Sequence, residues 1–250
     1  MVTEGSLVIE LKDFRGFFEI DIRSDIFKMI LKYKNYEQNI VKIVEKYVDS
    51  SKDAIDVGAN IGLFTILLAH ILSNKNKVLS LEPAPMAYQY LKRNLERNNC
   101  QNSVIIYNGI ATNIKGNYKL NIIQGMEEYS SLGNLVHPAI ANRQYKKIDV
   151  EGDTIDNLVN EYNLAPGFIK IDTEGAEYLV LSGAAKTIKK YKPVIVVEVQ
   201  DRLHHSVADH SEKIIYLLKE NNYNLINANN PKLQVGVPFN GDMLALPNKV

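Results

Sequence analysis

The stretch that most constrains this 250-residue chain is AIDVGANIGLFT, residues 54–65. An apolar strand stops at Gly58, the chain turns through Ala59 and Asn60, and a helix begins near Gly62. Asp56 stands two residues before the first glycine, and two glycines four apart are expected to leave backbone amides uncovered at a helix start. A strand, a glycine turn and a helix in that order form the first unit of a nucleotide-type crevice in a parallel sheet.

The rest of the chain continues the pattern. Segments 77–81, 104–107, 168–171 and 193–199 read as short apolar strands. Between and after them lie helical patterns: 63–72, a segment after Pro83 ending at Asn98-Asn99, 155–162, 176–191 and 214–221. Such alternation, with near-continuous Val/Ile strands, predicts an α/β fold: a mainly parallel sheet covered on both faces. Two last strands near 223–226 and 243–246 predict an antiparallel hairpin at one edge. Residues 27–48 carry apolar side chains at helical spacing, so residues 1–52 are expected to form a helical cap ahead of a domain spanning 53–250. The alternation breaks over about 113–152, where 117–123 and 146–150 alternate polar and apolar, predicting an inserted antiparallel pair. The loop 125–143 that joins them carries Ser130, Ser131 and His137 and is long enough to suggest function.

Composition narrows the class. Lys+Arg and Asp+Glu both number 29, so no net field favours nucleic acid or an anionic membrane. Cys100 is the sole cysteine, which excludes an internal disulfide and a cysteine zinc site and fits a reducing compartment. No leader-like apolar run opens the chain, and the longest apolar stretch, 63–72, is far short of the ~20 residues of a spanning helix. A cytoplasmic protein without a transmembrane segment is expected.

The glycine turn discriminates among cofactors. A dinucleotide fingerprint wants a glycine between the two present here, and a phosphate loop wants a lysine after the last. Neither is found at Gly58-Ala59-Asn60-Ile61-Gly62. S-adenosylmethionine has no phosphate, and it suits the site better. Glu82, closing the second core strand, can accept from both ribose hydroxyls. Asp56 can face the cofactor's ammonium, and Asn108, after the third strand, can meet the adenine. Asn60 also suits a plain helix cap and Asn108 a plain turn.

DVGANIGLFT, LEPAP, IKIDTEGAE and VIVVEV, in this order and spacing, resemble the FkbM-like family of S-adenosylmethionine-dependent methyltransferases over about residues 53–199. The resemblance implies a class I, Rossmann-like fold with a seven-stranded sheet, and O-methylation, often of sugar hydroxyls in glycans, glycolipids or natural products. It also implies that Asp56, Gly58, Ala59, Asn60 and Gly62 form the cofactor loop and that Glu82 holds the ribose. Ser130-Ser131 resembles a short motif of the family's inserted region.

A second acidic constellation lies at the ends of later strands. Asp172 ends the strand 168–171, and Glu198 follows Val194-Ile195-Val196-Val197 on the next one, where a carboxylate must be paired, protonated or metal-bound. A hydroxyl acceptor must lose its proton, which makes Asp172, Glu198 and His204 candidate catalytic groups. Asp172 also borders the cofactor. Alternatively Asp172 and Glu198 hold Mg²⁺, which prefers oxygen ligands and lowers a bound hydroxyl's pKa. Asp172, Glu174 and Glu177 equally suit the positive end of a following helix. His204-His205 and His137 are further base candidates, and Tyr33, Tyr36 and Tyr47 suit either a sugar pocket or the core. The expected partner is a small-molecule or saccharide acceptor. A nicotinamide-dependent oxidoreductase and a non-catalytic S-adenosylmethionine-binding module are the rival readings.

Overall fold

The computed structural model describes residues 5–73, 75–124, 126–132, 144–201 and 209–248. The chain opens with a hairpin rather than with helices alone. Strands β1 (Ser6–Leu11) and β2 (Gly16–Asp21) pair antiparallel, Ser6 opposite Asp21 and Leu11 opposite Gly16, across a turn in which Arg15 adopts φ 55°. Their period-2 pattern is short and its inward face is carried by Phe18 and Ile20, both fully buried. The expected helical region follows as α1 (Asp25–Tyr33), whose first turn is capped by Ser24 Oγ accepting from the Phe27 amide, and α2 (Gln38–Tyr47). Residues 5–52 therefore form a hairpin plus two helices, which corrects the purely helical expectation.

Next come β3 (Asp53–Val57), α3 (Leu63–Leu72), β4 (Val78–Leu81), α4 (Pro85–Arg97) and β5 (Val104–Tyr107). Helix α4 anchors the hairpin. Asn94, fully buried, accepts from the Glu19 amide at 2.7 Å and donates to the Glu19 and Ile61 carbonyls, while Asn98 makes the same pair of bonds with Phe17. These amides supply the ladder partners that a free strand edge lacks.

The insertion contributes β6 (Ile110–Ala111), β7 (Gly116–Ile122) and β8 (Lys146–Asp153), a separate three-stranded sheet in the order β6-β8-β7. The core then resumes with α5 (Ile155–Glu161), β9 (Pro166–Ile171), α6 (Glu177–Ser182), α7 (Ala185–Tyr191), β10 (Val194–Gln200), α8 (Asp209–Glu220), β11 (Tyr223–Asn227) and β12 (Asn240–Pro247). The helix expected over 176–191 is two helices. They part at Gly183, where a Cβ would come within 2.0 Å of the Thr112 carbonyl oxygen, so the break admits close approach of the insertion.

The seven-stranded sheet runs β11-β12-β10-β9-β3-β4-β5, with β12 antiparallel to both neighbours and the other adjacent pairs parallel. The last two strands do pair antiparallel, but β12 lies inside and β11 takes the edge. One apolar cluster, with Phe14, Ile40, Phe64, Leu67 and Leu91, covers one face of the sheet; a second, with Ile155, Leu158, Val180, Ile188 and Ile214, covers the other. Both faces being buried is what makes β3, β9 and β10 read as unbroken apolar runs.

Candidate active site

The carboxyl ends of β3, β4, β9 and β10 open on one side of the sheet, at the switch point where β3 leads one way to β4 and the other way to β9. A cavity of about 430 Å³ lies there, lined by Asp56, Gly58, Asn60 and Glu82 from the first half and by Lys170, Asp172, Glu174 and Glu198 from the second. The N-terminal segment (Asp25, Met29, Tyr36, Glu37) and the insertion (Glu127–Tyr129, Ser130, Leu132) close over it. The two covers are tied together: the Asp25 amide donates to Glu128 at 2.6 Å, and the Tyr129 hydroxyl donates to the Asp25 carboxylate at 2.6 Å.

The glycine turn is built by close approach. At φ 81°, Gly58 faces the Asp172 carbonyl oxygen, which a Cβ would meet at 1.7 Å; Gly62, at φ 92°, faces Leu91 Cδ1 at 2.6 Å. Four amides of this turn are already engaged. Those of Gly58 and Ala59 donate to the Leu81 carbonyl, that of Asn60 to Glu82 Oε2, and that of Gly62 to the Ala59 carbonyl. These bonds fix the shape of the loop backbone around Gly58 and Gly62. Asn60 itself adopts φ 50°, a conformation its short polar side chain tolerates.

Glu82 accepts from the Asn60 amide through Oε2 and from the Ala84 amide through Oε1, both at 2.7 Å. Burial raises its pKa to about 7 despite those two donors. Asp56, 1 % exposed, accepts from Thr65 Oγ1 at 2.6 Å through Oδ2, while its Oδ1 is buried with no protein donor. Asn108 is exposed and does not line the cavity: its amide donates to the Glu82 carbonyl at 2.9 Å, and Gly109, Ile110 and Ala111 form the wall there.

In the other half, Lys170 is 5 % exposed and its Nζ lies 2.9 Å from Asp172 Oδ2 and 4.9 Å from the centre of the Phe64 ring. Burial alone would lower its pKa, but the carboxylates of Asp172, Glu37 and Asp56 outweigh that and raise it. Burial would likewise raise Asp172. Lys170 and a hydrogen bond from Glu198 overturn that and hold Asp172 ionised. Glu198 is pushed up to about 10 by burial and by Asp172, so it carries the proton the two share. Its Oε1 also accepts from Gln200 at 2.6 Å. Glu174, at φ 52°, is raised to about 8 by burial, and one oxygen of its carboxylate lies within 4.8 Å of one oxygen each of Asp172 and Glu198, which also approach each other to that distance.

Glu177 has a different task. Oε1 accepts from the Thr173 amide, the Thr173 hydroxyl and the Gly175 amide, and Oε2 pairs with His210 at 2.7 Å. It clamps the DTEG loop that presents Asp172 and Glu174. His204, His205 and His137 lie outside the described residues. Among the tyrosines, Tyr36 lines the cavity, Tyr33 is exposed and Tyr47 packs against the core.

Sequence reasoning passed over Lys170, Glu37, Gln200 and Asp242. Lys170 carried a signal: a charged residue two places before Asp172 on one strand shares its face. Glu37 and Asp242 come from the α1–α2 link and β12, with no local pattern to mark them.

The comparisons with known proteins agree with this architecture. Residues 56–225 match the family model described as Methyltransferase FkbM domain. A curated relative, the methyltransferase sdnD of Sordaria araneosa, is 28 % identical over 168 residues, covering 58 % of this chain and 64 % of that protein. Among solved structures, the methyltransferase FkbM from Methylobacillus flagellatus KT superposes with TM-score 0.53 at 18 % identity, covering 88 % of this chain and 60 % of that one. A putative O-methyltransferase from Klebsiella pneumoniae gives 0.51 at 14 % identity, covering 86 % and 81 %. The chain thus spans less than two thirds of the length of sdnD and of the Methylobacillus protein. Among the described residues, no helix is long and apolar enough to cross a membrane. With the family model covering most of its length, the chain belongs to the FkbM family of S-adenosylmethionine-dependent methyltransferases.

Proposed function

We propose that this protein methylates a hydroxyl oxygen, on a sugar of a glycan, glycolipid or natural product, with S-adenosylmethionine as donor. The observation that carries the reading is the Lys170–Asp172–Glu198 chain in the same cavity as Asp56 and Glu82. The residues fit the donor. Asp56 Oδ1 lacks a donor that an ammonium supplies, and Glu82 carries two oxygens with lone pairs left for a diol. Ala59, Asn60 and Gly62 shape the loop beside it, and Asn108 acts through Glu82. When bound, the cofactor supplies an electrophilic methyl group on a sulfonium.

The chain's own work is orientation and proton removal. Asp172 accepts the proton that the acceptor hydroxyl loses. Held ionised by Lys170, it is a weak base, so proton transfer accompanies bond formation instead of preceding it. Glu198, protonated, fixes the Asp172 carboxylate and leaves one of its oxygens for the acceptor. Residues 1–52 act as a cover on the 53–250 domain, contributing Tyr36 and Glu37 to the acceptor side. The single cysteine, Cys100, is buried, which accords with work in a reducing cytoplasm. The family assignment displaces the nicotinamide reading, and the intact acidic chain argues against a non-catalytic module.

A second reading rests on the three clustered carboxylates. Asp172, Glu198 and Glu174 would hold Mg²⁺, which lowers the pKa of a bound hydroxyl. Incubation with methyl-labelled S-adenosylmethionine and a saccharide panel, before and after chelation, separates the two. Label on a sugar oxygen that survives chelation supports the proton-transfer reading. Loss on chelation with recovery in Mg²⁺ supports the metal, and label on nitrogen or carbon overturns O-methylation.

A further inference from the structure

Asp172 and Glu198 can share a proton only while the loop after β9 keeps its place against β10. That loop is strained. Glu174 sits at φ 52° and Gly175 at φ 110°, so two consecutive residues leave the right-handed region and only the second is a glycine. A left-handed glutamate persists where its surroundings over-determine it. One carboxylate oxygen brackets it. Glu177 Oε1 accepts from the Thr173 amide at 3.1 Å, the Thr173 hydroxyl at 2.9 Å and the Gly175 amide at 2.9 Å, on either side of Glu174.

Glu177 is in turn held from a distant part of the chain. Its Oε2 lies 2.7 Å from Nε2 of His210, on the first turn of α8. Burial alone would raise the Glu177 pKa, but His210 and the Gly175 amide bring it below its ordinary value. At neutral pH the side chain is then a carboxylate, an acceptor only, and Nε2 carries the hydrogen between the two. Both groups are shielded from water, Glu177 at 3 % exposed and the His210 side chain at 13 %.

The first turn of α8 is itself fixed to β10. Asp201, directly after Gln200 and fully buried, accepts from the Ser211 amide at 3.0 Å through Oδ1, and from the Ser211 hydroxyl and the Phe239 amide through Oδ2. A circuit therefore runs from Glu198 along β10 through Asp201 and Ser211 to His210, and from Glu177 through the loop to Asp172. The His210–Glu177 bond joins its two halves. Neither of these residues lines the cavity, so an effect of His210 on turnover passes through the loop.

We propose that His210 is a positioning residue for methyl transfer, acting through Glu177 to hold the DTEG loop so that Asp172 meets Glu198 and the acceptor hydroxyl. This role rests on the base assigned to Asp172 above.

The test compares the full chain with His210→Leu, which keeps bulk without a donor, and with His210→Gln, which keeps an N–H donor. Amide hydrogen exchange, with S-adenosylhomocysteine bound, reads the loop directly. In His210→Leu the Thr173 and Gly175 amides should exchange at least about tenfold faster than in the parent, while Ile169 and Ile171 on β9 keep their protection. His210→Gln should restore most of the loss. With methyl-labelled S-adenosylmethionine and the saccharide panel, His210→Leu should lower kcat on the sugar that takes label by about tenfold or more, with KM for S-adenosylmethionine within about threefold. Unchanged exchange or unchanged kcat in His210→Leu, or equal loss in His210→Gln, overturns the proposal. Faster exchange that spreads through Ile169 and Ile171, or a His210→Leu chain that does not fold, marks the residue as merely structural and overturns it too. A parent chain that binds S-adenosylmethionine yet labels no sugar sinks the sugar reading, and the exchange pattern then decides this inference on its own.

Discussion

The two ends of the cavity are built in different ways. At the β3–β4 end, the Gly58 amide donates to the Leu81 carbonyl and the Asn60 amide to the Glu82 carboxylate, and all belong to two consecutive strand–turn segments. At the β10–β12 end, Glu37, Glu198 and Asp242 come from three distant parts of the chain and meet only when the sheet closes. The first end is rigid and locally encoded, as a site for one constant ligand requires. The second is assembled by tertiary structure and dominated by charge, which allows its specificity to change without disturbing the donor site. Lys170 and Asp172, on β9 between the two, belong to both.

The largest effect is expected where local encoding is tightest. Gly58→Ala puts a Cβ at 1.7 Å from the Asp172 carbonyl oxygen in a left-handed conformation. It should abolish cofactor binding and cost about 2–4 kcal/mol of stability, read as a lower unfolding midpoint in denaturant. A variant that binds normally would show that the turn is not the donor site. Next, Glu82→Ala should weaken S-adenosylmethionine binding about tenfold or more in an equilibrium titration, since it removes the partner of two buried amides as well as the ribose acceptor. Unchanged affinity would remove Glu82 from the site.

A smaller effect concerns pH and contrasts the ends directly. Burial raises Glu37 and Glu82 each to about 7 from 4.5. The folded state then binds more protons than the unfolded one between about pH 4.5 and 7, so the ligand-free protein should lose stability as pH rises through that window. Thermal melts from pH 5 to 8 would show it, and Glu37→Gln should flatten part of the slope. Stability that climbs over this window would contradict the burial of these acids.

The same contrast explains what was legible in the sequence. The alternation of strands and helices and the AIDVGANIGLFT turn are local patterns, and they led to the parallel sheet, the donor loop and Glu82. The insertion also announced itself, through the period-2 runs that became β7 and β8. The N-terminal hairpin did not, because its strands are six residues each and its edge is completed by Asn94 and Asn98 from a distant helix. The engaged amides of the glycine turn were hidden for a similar reason: the Leu81 carbonyl and the Glu82 carboxylate reach them from the next strand. A balanced composition concealed the acidic cavity, since charge counts carry no positions.

The measurement that bears most directly on the account is Asp172→Asn, followed by both S-adenosylmethionine affinity and the single-turnover rate of methyl transfer. The substitution keeps shape and removes the charge that Lys170 holds in place. Affinity is expected to stay within about threefold, while the rate falls by roughly 10²–10⁴, the usual contribution of a positioned base. An undiminished rate would remove Asp172 from proton transfer, and with it the claim that chemistry is carried out where the two ends meet.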